Sequence, residues 1–259
     1  HSSDDSWKRL QTLNGSGKVH ALRLEQNGGY GMGNQEGINY AVSCLEADYV
    51  IIANPDIHVT PRCIRRVKDA LDKTQARWLP RQGEGPDGGE LFSYWTLLPL
   101  WKDLLDTGLV TRRLFKAMLN TPSYRLAYAG DEDCRLVDAV PGSFFMLKTG
   151  ILTPGEIKEV FDKHIFLYYE EKVLGQKFRK MGLKTVLVTD ESYVHAHSVS
   201  IDKSFKRIVD KQRLLHRSKL YYYKEYLGTG PAGMAAARAV LGLVLAEVWF
   251  LTVVCRIRW

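Results

Sequence analysis

The stretch ADYVIIANPDIHV, residues 47–59, constrains the fold more than any other part of the chain. Tyr49 to Ala53 form an unbroken apolar run that ends in Asn54, Pro55 and Asp56. Such a run reads as a strand buried on both faces, as in the parallel sheets of α/β proteins. Ligands of those sheets collect at the carboxyl ends of the strands. Asp56 therefore stands where a ligand is expected. The plainer alternative makes NPD a strand-terminating turn, with Asp56 capping the next helix.

The flanking sequence has α/β grammar. Ser2 or Ser3 is placed to cap a short helix containing Trp7 and Leu10, with Asp4 and Asp5 in its first turn. KVHALRLEQN (18–27) then reads as a strand, GGYGMGNQEG (28–37) as a glycine-rich loop and INYAVSCLEA (38–47) as a helix. After the apolar strand, PRCIRRVKDAL reads as a helix with Pro61 at its start. RQGEGPDGG (81–89) is a turn-rich loop, and 97–119 has a broken helical pattern. VDAVPGSFFMLKT (137–149) reads as a strand interrupted at Pro141 and Gly142 and resumed from Phe144 to Leu147. With 259 residues, 45% of them apolar, the chain can bury one large core or two modest ones.

A second cluster lies in HIFLYYEEKVLGQKFRKMGLKTVLVTDESYVHAHS (164–198). Leu174, Phe178 and Met181 recur at helical spacing, Lys177, Arg179 and Lys180 crowd the last turns, and Gly182 is a stop. Glu170 and Glu171 therefore open a helix. KTVLV reads as a strand ending near Asp190, with His195 and His197 shortly after it. The acidic helix start and a histidine can then face one site. His58, two residues past Asp56, ranks low as a further candidate. DEDC (131–134) imitates an acidic metal motif but follows no apolar strand, so it reads as a solvated loop without a metal.

The net charge of +7 and pI near 9.1 favour an anionic partner such as a nucleotide phosphate, nucleic acid or an acidic membrane surface. No aromatic and basic groove motif supports a nucleic-acid binder. Cys44, Cys63, Cys134 and Cys255 have no CxxC or metal-type spacing, which fits a reducing, cytoplasmic setting.

HSSDDSW, NGGYGMGNQEGI, NPD, PGSFFML, FLYYEEKVLGQKFRKMG and HAHSVS occur in that order. The series resembles the inverting family-2 glycosyltransferases of GT-A fold, most of all bacterial rhamnosyl-, galactosyl- and galactofuranosyltransferases of surface polysaccharide synthesis. The resemblance implies a mixed, mostly parallel α/β sheet flanked by helices over residues 1–200, with a helical extension over 201–259. The usual first strand and helix of that fold would precede residue 1.

It also implies roles for single residues. Asp56 matches the principal ligand of a divalent cation, Mn²⁺ or Mg²⁺, that bridges the donor diphosphate, and His195 matches the histidine that completes the site. Hard cations of this kind prefer oxygen, and a histidine beside the carboxylate suits Mn²⁺ better. Asn54 departs from the acidic residue often found there and offers only a neutral oxygen. Asn27, Gly28, Gly33 and Asn34 match the loop beneath the nucleotide, and Asn54, Asp56, Gly142 and Ser143 complete the donor side. Glu171 matches the general base, where relatives usually carry Asp, and Glu170, Tyr94 and Trp95 fall on the acceptor side. The implied donor is dTDP-rhamnose or a UDP-hexose, and the acceptor a glycan or a lipid-linked sugar. The alternative is a catalytically weak subunit that binds nucleotide sugar beside a sister transferase.

The C-terminal stretch AVLGLVLAEVWFLTVVC (239–255) is apolar, short for a span and interrupted by Glu247. It reads as a helix for a membrane surface, a partner or a second copy of the chain, at the cytoplasmic face if membrane is involved.

Overall fold

A computed structural model describes residues 5–14, 17–74, 78–79, 81–84, 94–119, 127–128, 131–195 and 207–256. In chain order these form α1 (Ser6–Gln11), α2 (Gly29–Leu45), β1 (Tyr49–Ala53), β2 (Ile57–His58), α3 (Pro61–Thr74), β3 (Trp78–Leu79) and β4 (Arg81–Glu84). There follow α4 (Leu100–Thr107), α5 (Leu109–Leu114), α6 (Lys116–Leu119), β5 (Ala127–Tyr128), β6 (Asp131–Val137), β7 (Phe144–Lys148) and α7 (Pro154–Ile157). The remainder is α8 (Glu170–Lys180), β8 (Thr185–His195), α9 (Ile208–Glu225) and α10 (Pro231–Trp249), which runs on into a π-helical turn, Phe250–Val254.

The fold is a mixed sheet packed between helices, in the order β1-β7-β3-β8-β6-β5, with β2 and β4 also paired to β8. It is not mostly parallel. β1 with β7, β3 with β7, β2 with β8, β6 with β8 and β5 with β6 are antiparallel, and only β3 and β4 run parallel to β8 among the described pairs. The apolar run at β1 reports burial on two faces, and a helix-covered antiparallel strand has that too. Val50 and Ile52 face a cluster built with Ile38 of α2 and with Leu174 and Phe178 of α8. Tyr49 and Ile51 face Cys63, Val67 and Leu71 of α3.

A third core joins the C-terminal helices to the rest. Tyr222 and Tyr223 of α9 and Met234, Ala237 and Leu241 of α10 pack on Leu104 of α4 and on Tyr169 and Val173 at the start of α8.

Several local expectations change. Residues 18–27 form no strand; Val19 and Leu22 are exposed, and Ala21 is tied back to the Asn14 side chain (3.1 Å). The glycine-rich 28–37 stretch is helix from Gly29 onward. Glycine inside a helix costs about 1 kcal/mol each, so tertiary bonds must offset it. Here Tyr30 N donates to Phe166 O (3.1 Å), and the Gln35 side chain donates to Ile157 O (2.7 Å) and accepts from Phe161 N (2.9 Å). Asp5 occupies the cap position of α1 without a side-chain capping bond, its carboxylate pairing with Lys8 (3.3 Å) instead, while Ser2, Ser3 and Asp4 lie outside the described residues. Arg81–Glu84 is a strand rather than loop, and 85–89 lie outside the described residues. DEDC opens β6, where Asp131 accepts from Arg66, which also donates to Asp190. A strand in DEDC was masked by its acidity, of which the guanidinium offsets the Asp131 charge. β8 runs on past Asp190 to His195, because the pairings with β4 and β2 continue that far.

Candidate active site

The NPD turn closes β1. Ile57 N donates to Asn54 O (3.2 Å), and Asn54 N donates to Ser143 O (2.9 Å), tying the turn to the start of β7. Asp56 does not cap α3; Thr60 does, accepting from Cys63 N (3.1 Å). Asp56 is thereby left facing the end of β8, where its carboxylate lies 3.4 Å from His195 Nε2. β2 fixes the approach, since Ile57 pairs with His195 and His58 with Val194. The His58 side chain is exposed.

His195 and Asn54 line a cavity of about 620 Å³, and so do Glu170 and Glu171. The acidic helix start reaches it because Tyr168 and Tyr169, just before α8, both adopt positive φ (69° and 72°). Two consecutive non-glycine residues in that region cost about 1–3 kcal/mol each, so the surroundings must hold them. Tyr169 is held by its hydroxyl bond to Asp103 (2.5 Å) and by packing on Tyr222. Close packing also seats the helix: a Cβ on Gly175 would lie 2.5 Å from Asp138 O.

The two carboxylates differ. Glu170 is 6% exposed, and its Oε1 has no hydrogen-bond partner among the described residues. Burial, reinforced by the charge of Glu171, pushes its pKa up to about 8. Burial raises Glu171 as well, but the Gly142 N–H, which donates to its Oε1 (3.4 Å), and the charge of Lys172 oppose the shift. The helix dipole would lower both; burial wins. The proton is therefore held more tightly by Glu170, and the negative charge is better supported on Glu171.

Gly142 and Ser143 also line the cavity. Gly142 O accepts from the Tyr30 hydroxyl (2.5 Å), and Ser143 Oγ shares a hydrogen bond with the Tyr193 hydroxyl (2.8 Å). Trp95 lines it too, fixed by backbone bonds to Ala139, whereas Tyr94 packs on the β1 core. Asn27, Gly28, Gly33 and Asn34 do not line it. Asn27 caps the turn at Gly29 (3.1 Å), and the Asn34 amide donates to Tyr30 O (3.0 Å). Only Tyr30 of that stretch reaches the cavity, because the stretch is helix and not loop. His197 lies outside the described residues.

Tyr30, Tyr193 and Lys172 are lining residues the sequence reading passed over. Tyr193 was accessible to it: it lies two residues before His195 on one strand, so the two share a face.

Asp56 and His195 are suited to a divalent cation. No group of three His, Cys, Asp or Glu side chains converges among the described residues. Magnesium-type sites need only one or two carboxylates, with substrate phosphates and water completing the shell. A carboxylate paired with an imidazole that lines the cavity fits that pattern, although Asp56 itself does not line it.

No family model matches this chain, and neither does any curated protein. Among solved structures, one described as the crystal structure of GalNAc-T7 with UDP, GalNAc and Mn2+ is similar, at 11% identity and a TM-score of 0.48. The alignment covers 99% of this chain and 50% of that one, so the chain spans about half its length. At that identity and score, the chemistry has to come from this chain's own side chains.

Proposed function

We propose that the protein is a glycosyltransferase that moves a sugar from a nucleoside diphosphate donor to a glycan or lipid-linked acceptor with inversion. The observation that carries this reading is that Glu171, Glu170 and the Asp56-paired His195 face one cavity of about 620 Å³. A base carboxylate and a cation-binding imidazole at one cavity are what displacement of a diphosphate by a hydroxyl requires.

Asp56 and His195 would hold a divalent cation, whose chemistry there is to neutralise the leaving diphosphate. Glu171 takes the acceptor hydroxyl's proton while the oxygen lone pair forms the new bond to the anomeric carbon. The bond from that carbon to the diphosphate breaks on the opposite face, which inverts the centre. Glu170, with its pKa raised to about 8 by burial, stays protonated beside the base in this reading. Ser143, Gly142 and Asn54 form the donor side of the cavity in this reading, and Trp95 the acceptor side. The donor is of the dTDP-rhamnose or UDP-hexose type. The transfer domain spans 1–200 and the helical extension 201–259.

Incubating purified protein and Mn²⁺ with a panel of dTDP- and UDP-sugars tests the reading. Transfer, or slow release of nucleoside diphosphate, is the expected result. A donor held at 100 times its dissociation constant should also stabilise the fold by roughly 2.7 kcal/mol. Stabilisation with no turnover on any acceptor would instead mark a nucleotide-sugar-binding subunit. Neither effect with any nucleotide sugar would overturn the proposal.

A further inference from the structure

Pro231–Val254 is long and apolar enough to cross a membrane by length and composition. Its two halves have different surroundings. Met234, Ala237 and Leu241 are buried against Tyr222 and Tyr223. Beyond them Val244 and Val248 continue the buried side, while on the other side Leu243 is 72% exposed and Trp249, Phe250, Val253 and Val254 are each about half exposed. Leu243, Glu247, Phe250 and Val254 fall at helical spacing on one stripe, of which Glu247 is the charged member.

Glu247 is already engaged. Its carboxylate accepts from Leu109 N (3.1 Å) and Val110 N (3.0 Å), capping the first turn of α5. The contact seats the start of α5 on Glu247, and α5 and the turn that leads to α6 add further bare apolar side chains: Val110, Phe115 and Leu114, the last 73% exposed. Beside them lie Arg112, Arg113 and Lys116, of which Arg112 pairs with Asp106 (3.2 Å), and no acidic residue falls from 109 to 116. Arg256 adds another cation at the far end of the stripe.

We infer that this composite face, the distal half of α10 with α5 and α6, lies on an anionic lipid bilayer. A span is too long for it: the stretch that carries the large exposed apolar side chains, residues 243–254, measures about 18 Å against a hydrocarbon core of about 30 Å. The proximal half cannot join it without uncovering Tyr222 and Tyr223. A second copy is disfavoured by charge. A two-fold interface would set the Arg113 and Lys116 clusters of both copies around one seam. Apolar side chains flanked by lysine and arginine have the composition of interfacial helices, which seat the first in the acyl boundary and pair the second with acidic headgroups. The inference is independent of the reaction at the cavity and stands or falls on lipid binding alone.

Sedimentation of the full chain with vesicles tests it, using phosphatidylcholine alone and phosphatidylcholine mixed with phosphatidylglycerol. Binding is expected to the mixed vesicles, weakened by added salt. Each cation at the surface contributes roughly a fivefold preference, so Arg113→Glu with Lys116→Glu should lower binding at least about tenfold. Trp249→Glu with Phe250→Glu should abolish it while far-ultraviolet circular dichroism stays unchanged. Leu114→Glu, on the exposed side of α5, is a second apolar variant should that pair misfold. Binding to both vesicle types that resists salt and alkaline carbonate would show a span and overturn the inference. So would absence of vesicle binding, whether the protein then sediments as a monomer or as a dimer.

Discussion

The Tyr169 hydroxyl donates to Asp103 Oδ1 across 2.5 Å, linking the residue that precedes the two site glutamates to α4. Asp103 is fully buried and also meets Lys172 of α8 and Lys219 and Tyr223 of α9. Burial alone would raise its pKa, but the charges of Lys219 and Lys172 outweigh it and hold the carboxylate well below the usual range. Lys219, buried in turn, is drawn down to about 8. The strained Tyr168–Tyr169 pair is thus anchored by one carboxylate that three helices share.

Removing that charge should be costly. Asp103→Asn leaves two buried ammonium groups without their anion, and breaking a buried pair in this way costs about 3–5 kcal/mol. Urea unfolding measures it. A loss below about 1 kcal/mol would mean that the lysines find other partners and that the network does not hold the helix start.

Glu171→Gln should lower turnover by about 10² to 10⁴ with donor affinity retained, as loss of a general base does. Glu170→Gln should be milder and should leave the rising limb of the pH–rate profile in place, because Glu170 is already uncharged when Glu171 ionises. Profiles of kcat from pH 5 to 9 decide it, and the assignment of roles is reversed if Glu170→Gln is the more damaging change.

The same pair sets a pH dependence of stability. Glu170 is raised from 4.5 to about 8 on folding, so its contribution is full below about pH 4.5 and is lost as pH rises through about 8. Glu170→Gln should therefore stabilise the protein at pH 8–9, by on the order of 1–3 kcal/mol, and change little at pH 4.5. Thermal melts at the two pH values give the comparison, and an equal effect at both would exclude a buried, raised carboxyl.

Nucleoside diphosphate binding should require Mn²⁺ or Mg²⁺ and fail in Asp56→Ala. His195→Ala should weaken the metal dependence less, as one ligand among several. Titration calorimetry with and without chelator reports it; the same affinity in both would remove the cation from the site.

Gly175→Ala should destabilise the fold by about 1–3 kcal/mol, the usual cost of overpacking, because its Cβ would press on the Asp138 carbonyl. Chemical denaturation reads this out. A neutral effect would mean that α8 is free to shift on the sheet.

How far the chain could be read in advance depends on whether the signal was local. The start of α8 and the NPD turn announce themselves through chemistry carried by adjacent residues, whereas the pairing of Asp56 with His195 comes from the family resemblance. Strand direction at β1 does not, because apolarity reports burial and not the orientation of a neighbour. The glycines of α2 signal loop locally and are overruled by bonds to Ile157, Phe161 and Phe166, far along the chain. Residues 18–27 have strand composition but no ladder to join. The Asp103 network was out of reach for the same reason: its members lie as much as 120 positions apart.

β8 acts as a ruler between the core and the cavity. Its first residues are locked to β6, with Thr185 opposite Val137 and Val188 opposite Cys134, and its last, His195, opposes Ile57. Side chains alternate sides along such a ribbon. Inserting or deleting one residue between Thr189 and Ser192 would turn the imidazole to the far side and part it from Asp56, whereas a change of two would restore the side but displace it by a full repeat. The interval from core to cavity therefore tolerates substitution far better than a change of length.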